Sequence, residues 1–351
     1  MMKYLKNFLK GIVILTITFA ILEISAFFLL KFDSTELFSL RNFTEKTDDK
    51  RFYTLKKNYS SEELDHFYGG RTFLITTSNE RVRISNKNDV NTNFLNPTNM
   101  NEKILFLGDS VTFGWGVDVE ESFPFLFKKY NKELSVINGA IPGYSLAQSI
   151  ERFKIEFLDI KNLKFIYIQN YSPAPSYARL GTFWSENDNW ANFPEQVLKT
   201  LNIRRVEIPF YGEPLSYNFF RKKMYRIKHK KIKETLYSEE SDIKFINHIN
   251  SNLEKLYSFA KNKNSILILS SITVPKFSAE NRTDSHERAI SLLNNTLYNF
   301  SLNKDDVHHF DMISKLNVNS EKMFVDFCCH LSKHGADLMA LELTKLIKKI
   351  D

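Results

Sequence analysis

The sequence predicts an α/β protein: a five-stranded parallel sheet between two layers of helices, preceded by one long apolar helix. Three observations carry this reading. From Lys103 onward, short apolar runs closed by Gly, Asn or Ser alternate with stretches of helical period. There are five such runs: Ile104 to Leu107, Ser135 to Ile137, Phe165 to Ile168, Ile266 to Leu269 and Val307 to Phe310. Near the N-terminus, Gly11 to Leu30 is a run of 20 residues with one charge, Glu23.

As a helix rising ~1.5 Å per residue, that first run matches a hydrocarbon core of ~30 Å. Lys3, Lys6 and Lys10 precede it and only Lys31 follows closely, so the positive-inside rule exports residues 31 to 351. A cleaved signal peptide is the competing reading, but its apolar region runs ~7 to 15 residues and ends at an A-x-A-like site, and neither condition fits well. Its length and terminal position also argue against a buried core helix. Glu23 is expected to face a partner helix, sit near an interface or be protonated.

Residues 1 to 32 are thus an N-terminal anchor, and 33 to 100 a polar linker with a small β-containing cap. In the cap, Thr72 to Ile84 reads as two short strands around Ser78 and Asn79. Residues 101 to 351 form the α/β domain, with helices expected over Ser122 to Tyr130, Leu146 to Phe157, Asp242 to Asn262, His286 to Leu302 and Lys333 to Lys349. The alternation breaks at about 173 to 241, read as an insertion with one helix from about Tyr217 to Leu236.

Composition narrows the function classes. An apolar fraction of 43% excludes a disordered chain. With two cysteines, adjacent at Cys328 and Cys329, neither a disulfide scaffold nor a CxxC zinc finger can form. The net charge of +7 is concentrated between Arg221 and Lys233, which hold eight Lys or Arg and no acid. A dedicated nucleic-acid binder would spread its basic footprint, so none is expected as a partner. The patch reads as a solvated helix face or, with Phe219, Phe220, Met224 and Ile227 at helical spacing, as a contact for anionic lipid over residues 217 to 236.

Three segments carry chemistry. Gly108-Asp109-Ser110 follows the first run, placing a serine at a strand's carboxyl end, where an α/β sheet presents a reactive group. The plainer reading of that serine is a helix cap. Asn138 to Ser145 (NGAIPGYS) is a Gly- and Pro-rich loop opening a helix, where a glycine lets a backbone N–H approach a developing oxyanion. Near the C-terminus, Asp326 and His330 lie on a loop before the last helix and can complete a Ser-His-Asp relay.

In this order and context, GDSVTFGWGV, NGAIPGYS and H-x-x-x-x-G resemble the GDSL/SGNH family of serine esterases and acyltransferases over about Lys103 to Ile350. The chain as a whole is most similar to membrane-anchored members, which carry an F-x-I-x-T-x-N stretch before the first strand, here Phe73 to Asn79. The resemblance implies a three-layer SGNH fold with a flavodoxin-like sheet, Ser110 as nucleophile, His330 as base, the N–H groups of Ser110 and Gly143 at the oxyanion, and no cofactor or metal. It also implies acyl or acetyl groups on exported or cell-surface glycans as substrate, with lipid hydrolysis of the lysophospholipase or thioesterase kind second.

Two departures stand out. The family sets its Asp three residues before the His, whereas position 327 is Phe and the nearest carboxylate, Asp326, lies four before. A one-residue bulge at Cys328-Cys329 is expected to restore its reach. The family also ends its third strand with an Asn-Asp pair whose asparagine donates to the oxyanion. Here Pro173 and Ala174 take those positions, leaving Asn170, Gln169 or the Asn187-Asp188 pair as substitutes.

Two rival readings remain open. Cys328, Cys329, His330 and His334 form a weak metal cluster, since adjacent cysteines point apart and no Glu follows the first His as in zincins. A catalytically weak glycan-binding or scaffold protein of an export assembly is the second, supported by the missing asparagine.

Overall fold

The computed structural model describes residues 2–33, 43–64 apart from 48, 50 and 52, 72–85, 95, 101–170, 239–275, 284–316, 320–326 and 329–351. Ser39–Asn187 and Leu236–Asp351 make one compact unit; Met1–Phe38 and Asp188–Thr235 make another, of which only the helix α1 (Met2–Asp33) is described. Its 32 residues cover the apolar run, and its described apolar side chains, from Ile12 to Ile24, are exposed. Among the described residues no helix is long and apolar enough to cross a membrane; on α1 the described side chains end at position 25.

The large unit begins with two antiparallel strand pairs, β1 (Thr44–Lys46) with β2 (Tyr53–Leu55) and β3 (Ser60–Leu64) with β4 (Thr72–Thr76). This corrects the expected hairpin within Thr72 to Ile84. The second half of that stretch contributes a single bridge, Thr77 to Arg83, and β4 pairs with Ser60–Leu64 instead. The chain does reverse at Ser78, whose N–H donates to Val82 while the Ile84 N–H donates to Thr76, but the returning arm goes no further than that bridge.

Next come β5 (Lys103–Gly108), β6 (Ser135–Asn138), β7 (Leu163–Gln169), β8 (Ile266–Ser270) and β9 (Val307–Phe310), all parallel in the order β6-β5-β7-β8-β9. This is the doubly wound, flavodoxin-like order. Every residue of β5 is buried, as befits a strand covered on both faces.

Side chains alternate across the sheet. Leu105, Leu107, Ile166 and Ile168 face a layer made by α4 (Leu146–Arg152), α5 (Glu239–Asn262) and α6 (Asp284–Ser301). Ile104, Phe106, Phe165 and Tyr167 face α3 (Phe123–Tyr130) and the last helix, α8 (Lys333–Ile350). Phe106, Phe123, Phe127 and Tyr167 meet there with centroids 5.1 to 5.5 Å apart, each burial contributing roughly 1.5–3 kcal/mol. Two short helices, α2 (Ser110–Phe113) and α7 (Met312–Lys315), follow the carboxyl ends of β5 and β9.

One expected helix changes character. Leu146 to Phe157 is α-helical only to Arg152 and continues as a π-helical turn over Phe153–Phe157. The wider turn puts both Phe153 and Phe157 in the core while Arg152 Nε still donates to Glu156 at 2.7 Å.

The domain boundary expected at 100 falls inside the large unit. A third cluster joins Phe43, Leu55, Phe73 and Ile75 of the N-terminal strands to Phe113, Trp115, Ile141 and Tyr144 of the α/β part. The described residues between 43 and 84 therefore form a strap seated on two of the three chemistry-bearing segments. The expected insertion helix at 217 to 236 and its basic patch lie outside the described residues.

Candidate active site

Parallel strands share one carboxyl edge, and Ser110 stands on it two residues after β5 ends. Asp109 caps the helix that follows, its carboxylate accepting the Val111 N–H at 3.0 Å. Ser110 is thereby the first residue of a helical turn, where an N–H has no intrahelical partner.

The histidine arrives on a closed loop. Phe324 and Leu331 form an antiparallel bridge, and the Val325 N–H donates to the His330 carbonyl at 2.9 Å. Inside it, one oxygen of Asp326 accepts the N–H groups of Cys329 (3.0 Å) and His330 (3.2 Å). The other oxygen accepts from His330 Nδ1, and His330 Nε2 lies 2.7 Å from Ser110 Oγ. The four-residue spacing therefore places Asp326 against the imidazole; Phe327 and Cys328, and with them half of the expected bulge, lie outside the described residues.

Because an ionised carboxylate only accepts, the Nδ1 of His330 must carry the ring proton, leaving the Nε2 lone pair facing the serine hydroxyl. Asp326 is buried, which alone would raise its pKa. Attraction to the His330 ring when it is protonated, together with the hydrogen bonds from that ring, its backbone and Cys329, outweighs this and holds the carboxyl below its ordinary range. The loop is anchored below by Ser332, which caps α8 through the Gly335 N–H at 3.2 Å and donates its own N–H to Met323 at 3.0 Å.

Gly143 lies in the loop after β6, the strand beside β5. The Tyr144 N–H donates to Ile141 at 3.1 Å across Pro142 and Gly143, and Gly143 has φ +81°: a type II turn, in which that position favours glycine. Its surroundings fix it closely. The Ile141 N–H donates to Gly108 (3.0 Å), Tyr53 Oη to the Pro142 carbonyl (2.9 Å) and Tyr144 Oη to the Tyr53 carbonyl.

The Asn170 side chain, the expected substitute donor to the oxyanion, is engaged with the loop after β6 and with α4. Its amide nitrogen donates to the Tyr144 carbonyl (3.1 Å) and to Ser149 Oγ (2.9 Å), which uses both of its hydrogens. Gln169 is committed as well, donating to the Ser271 carbonyl at 3.1 Å and accepting from Thr112 at 3.2 Å. Strand β7 runs to Gln169 rather than ending early. Pro173, Ala174, Asn187 and Asp188 lie outside the described residues.

Of the residues in the rival metal reading, His330 has both ring nitrogens engaged, His334 is exposed on α8 and Cys329 is buried, while Cys328 lies outside the described residues. His308 and His309 are partly buried on β9, and burial lowers both pKa values.

Sequence reasoning missed the residues that hold the site. Arg152 is fully buried and donates from Nη1 to the Gly139 carbonyl at 2.7 Å, while Glu156 receives Arg152, Arg51 and Thr54. Arg83 reaches the opposite side, bonding carbonyls at the end of α2. The only signal was arginine set between apolar neighbours, as in Val82-Arg83-Ile84, which reads equally well as an outward-facing strand residue.

No protein-family model matches the sequence, and no curated protein sequence matches it. Among solved structures, the chain is similar to a member of the lipolytic protein G-D-S-L family from Veillonella parvula (12% identity, TM-score 0.42, 71% of this chain and 99% of that one). It is also similar to a lipase from a goat rumen metagenome (16%, 0.43, 70% and 96%) and to a psychrotrophic esterase from a Pseudoalteromonas species (15%, 0.42, 71% and 98%).

Proposed function

We propose that this chain is a serine-dependent enzyme of the GDSL/SGNH kind that cleaves or transfers ester-linked acyl groups. The observation that carries this is the unbroken hydrogen-bonded chain from Asp326 through His330 to Ser110 at the carboxyl edge of the sheet. Ser110 Oγ attacks the ester carbonyl as His330 Nε2 takes its proton, and that proton then passes to the departing alkoxide. Water or a sugar hydroxyl attacks the resulting acyl-serine, giving its proton to His330, and Ser110 is regenerated. The N–H groups of Ser110 and Gly143 hold the oxyanion. Asp326 fixes the tautomer and stabilises the imidazolium.

α1 is the membrane anchor in this reading, with the enzyme on the extracytoplasmic side of the inner membrane and acylated glycans as substrate ahead of lysophospholipids or thioesters. The lysine asymmetry around Gly11 to Leu30 supports the orientation. Protease added to spheroplasts should digest the chain beyond Leu30, whereas full protection would reverse the topology. A second reading, a weakly catalytic glycan-binding or scaffold protein, is favoured by the commitment of both Asn170 amide hydrogens elsewhere. Turnover of a short-chain ester by the wild type, lost in Ser110→Ala, supports the enzyme; equal rates in both would leave the binding protein.

A further inference from the structure

Arg83 is an unusual residue to find on the strap. It is 4% exposed, and among the described residues its guanidinium meets no carboxylate. It meets four backbone carbonyls instead. Nη1 donates to Phe113 and Gly114, both at 2.7 Å, and Nη2 to Val117 at 2.8 Å and Leu74 at 3.1 Å. The guanidinium carbon also lies 4.6 Å from the centre of the Phe113 ring. Burial pushes the Arg83 pKa down to about 9 despite the pull of Asp118 and Glu120, so the cation has given up most of its solvation to sit there.

Those carbonyls explain the placement. α2 is a single helical turn, too short to satisfy its own last carbonyls, and those at 113 and 114 point the negative end of the turn away from Ser110. A cation with fixed, forked donors is the complementary group. The fit is tight: a Cβ at Gly114 would lie 2.9 Å from Arg83 Nη1. The same residue reaches the oxyanion side, since its backbone N–H donates to the Asn138 carbonyl at 3.1 Å, and Asn138 Nδ2 donates to Phe113 at 3.3 Å.

We propose that Arg83 is a positioning residue for the nucleophile: it caps the carbonyl end of the Ser110 turn from the strap and thereby sets where Ser110 Oγ and the Ser110 N–H stand relative to His330 and the Gly143 turn. The inference rests on the proposed function for its effect on rate, and on geometry alone for its effect on the Ser110 turn. A displacement of about 1 Å in a reacting group costs about 10²-fold, so an uncapped turn should lose rate with substrate binding intact.

The test uses the full chain with Arg83→Ala and Arg83→Lys, the lysine keeping the charge while losing the fork. Three measurements are made: kcat and KM on a p-nitrophenyl ester, hydrogen–deuterium exchange of peptides covering 109–117 and 333–350, and rescue by millimolar methylguanidinium. In Arg83→Ala, kcat should fall about 10²-fold with KM within about threefold, and methylguanidinium should restore at least about fivefold of the loss but nothing in Ser110→Ala. Exchange should quicken over 109–117 and not over 333–350. Should the alanine variant fail to fold, Arg83→Lys is read for the same split and the same local exchange.

A folded variant with kcat within about threefold of wild type, or exchange that quickens equally in both peptides without rescue, overturns the proposal. A wild type without esterase turnover sinks the enzymatic reading instead. The positioning of the Ser110 turn is then decided by exchange alone: acceleration confined to 109–117 supports it, and unchanged exchange refutes it.

Discussion

The two halves of the candidate site are built on different scales. The histidine half is local: Asp326 closes its own loop through two backbone N–H groups and orients His330 with its remaining oxygen, all within five residues. The serine half is assembled from afar. Arg83 bonds the end of α2 across about 30 residues, Tyr53 and the Pro142 carbonyl meet across 89, and Thr54 and Glu156 across 102. A local loop can fold its geometry by itself, whereas the nucleophile and the Gly143 turn depend on a strap that begins before the α/β sheet.

Each half of the site can be disrupted separately. The largest effect is expected at the junction, where Ser110→Ala and His330→Ala should each remove turnover of a short-chain ester, by as much as about 10⁶-fold, while circular dichroism stays native. Asp326→Asn comes next. It preserves the outline of the loop but favours the wrong tautomer, and in a comparable relay that change costs on the order of 10⁴-fold in kcat. If the variant keeps more than about a tenth of the rate, a loss under ~1.4 kcal/mol, Asp326 closes the loop and does not orient the base.

Asn170→Ala sharpens the serine half. Its side chain ties the Gly143 turn to Ser149, so steady-state kinetics should show a loss of about tenfold in kcat. A loss of ~10²- to 10³-fold would instead make it an oxyanion donor.

The smallest effect on rate is expected at Glu156, remote from the reacting atoms. Burial alone would raise its pKa, but Arg152 and Arg51 together outweigh this and hold it below the ordinary 4.5. A carboxyl with a lowered folded pKa stabilises fully above its unfolded pKa and loses that stability as pH falls through the folded value. Glu156→Gln should therefore destabilise at pH 7 by about 3–5 kcal/mol, because it leaves two buried arginines short of a partner. Urea titrations should show the gap to wild type narrowing as pH drops below about 4.5, and a gap that is constant with pH would place the stabilisation elsewhere.

The sheet was legible in the sequence because each strand is an apolar run with its own terminator. Strands β5 to β9 fall within two residues of where the pattern of Ile, Leu, Val and Phe puts them. Ser110, Asp326 and His330 were legible as candidates because each stands in a motif anchored to a strand end or a helix start. The partner of Thr72–Thr76 was not, because a polar strand such as Ser60–Leu64 carries no apolar alternation to announce it. Nor was the change to a π-helical turn at Phe153, which depends on where Arg152 finds its carbonyls. Arg83 escaped for the same reason, since a buried arginine is identified by its acceptors, and backbone carbonyls leave no mark in a sequence.

The relay from Asp326 to Ser110 is tested most directly by reaction with a fluorophosphonate, which modifies only a serine whose hydroxyl is activated by a base. Mass spectrometry of the intact wild-type chain should show one adduct per molecule, mapped to Ser110, absent in Ser110→Ala and slowed on the order of 10³-fold or more in His330→Ala. An adduct at another residue, or Ser110 labelled equally fast with and without His330, would contradict the account.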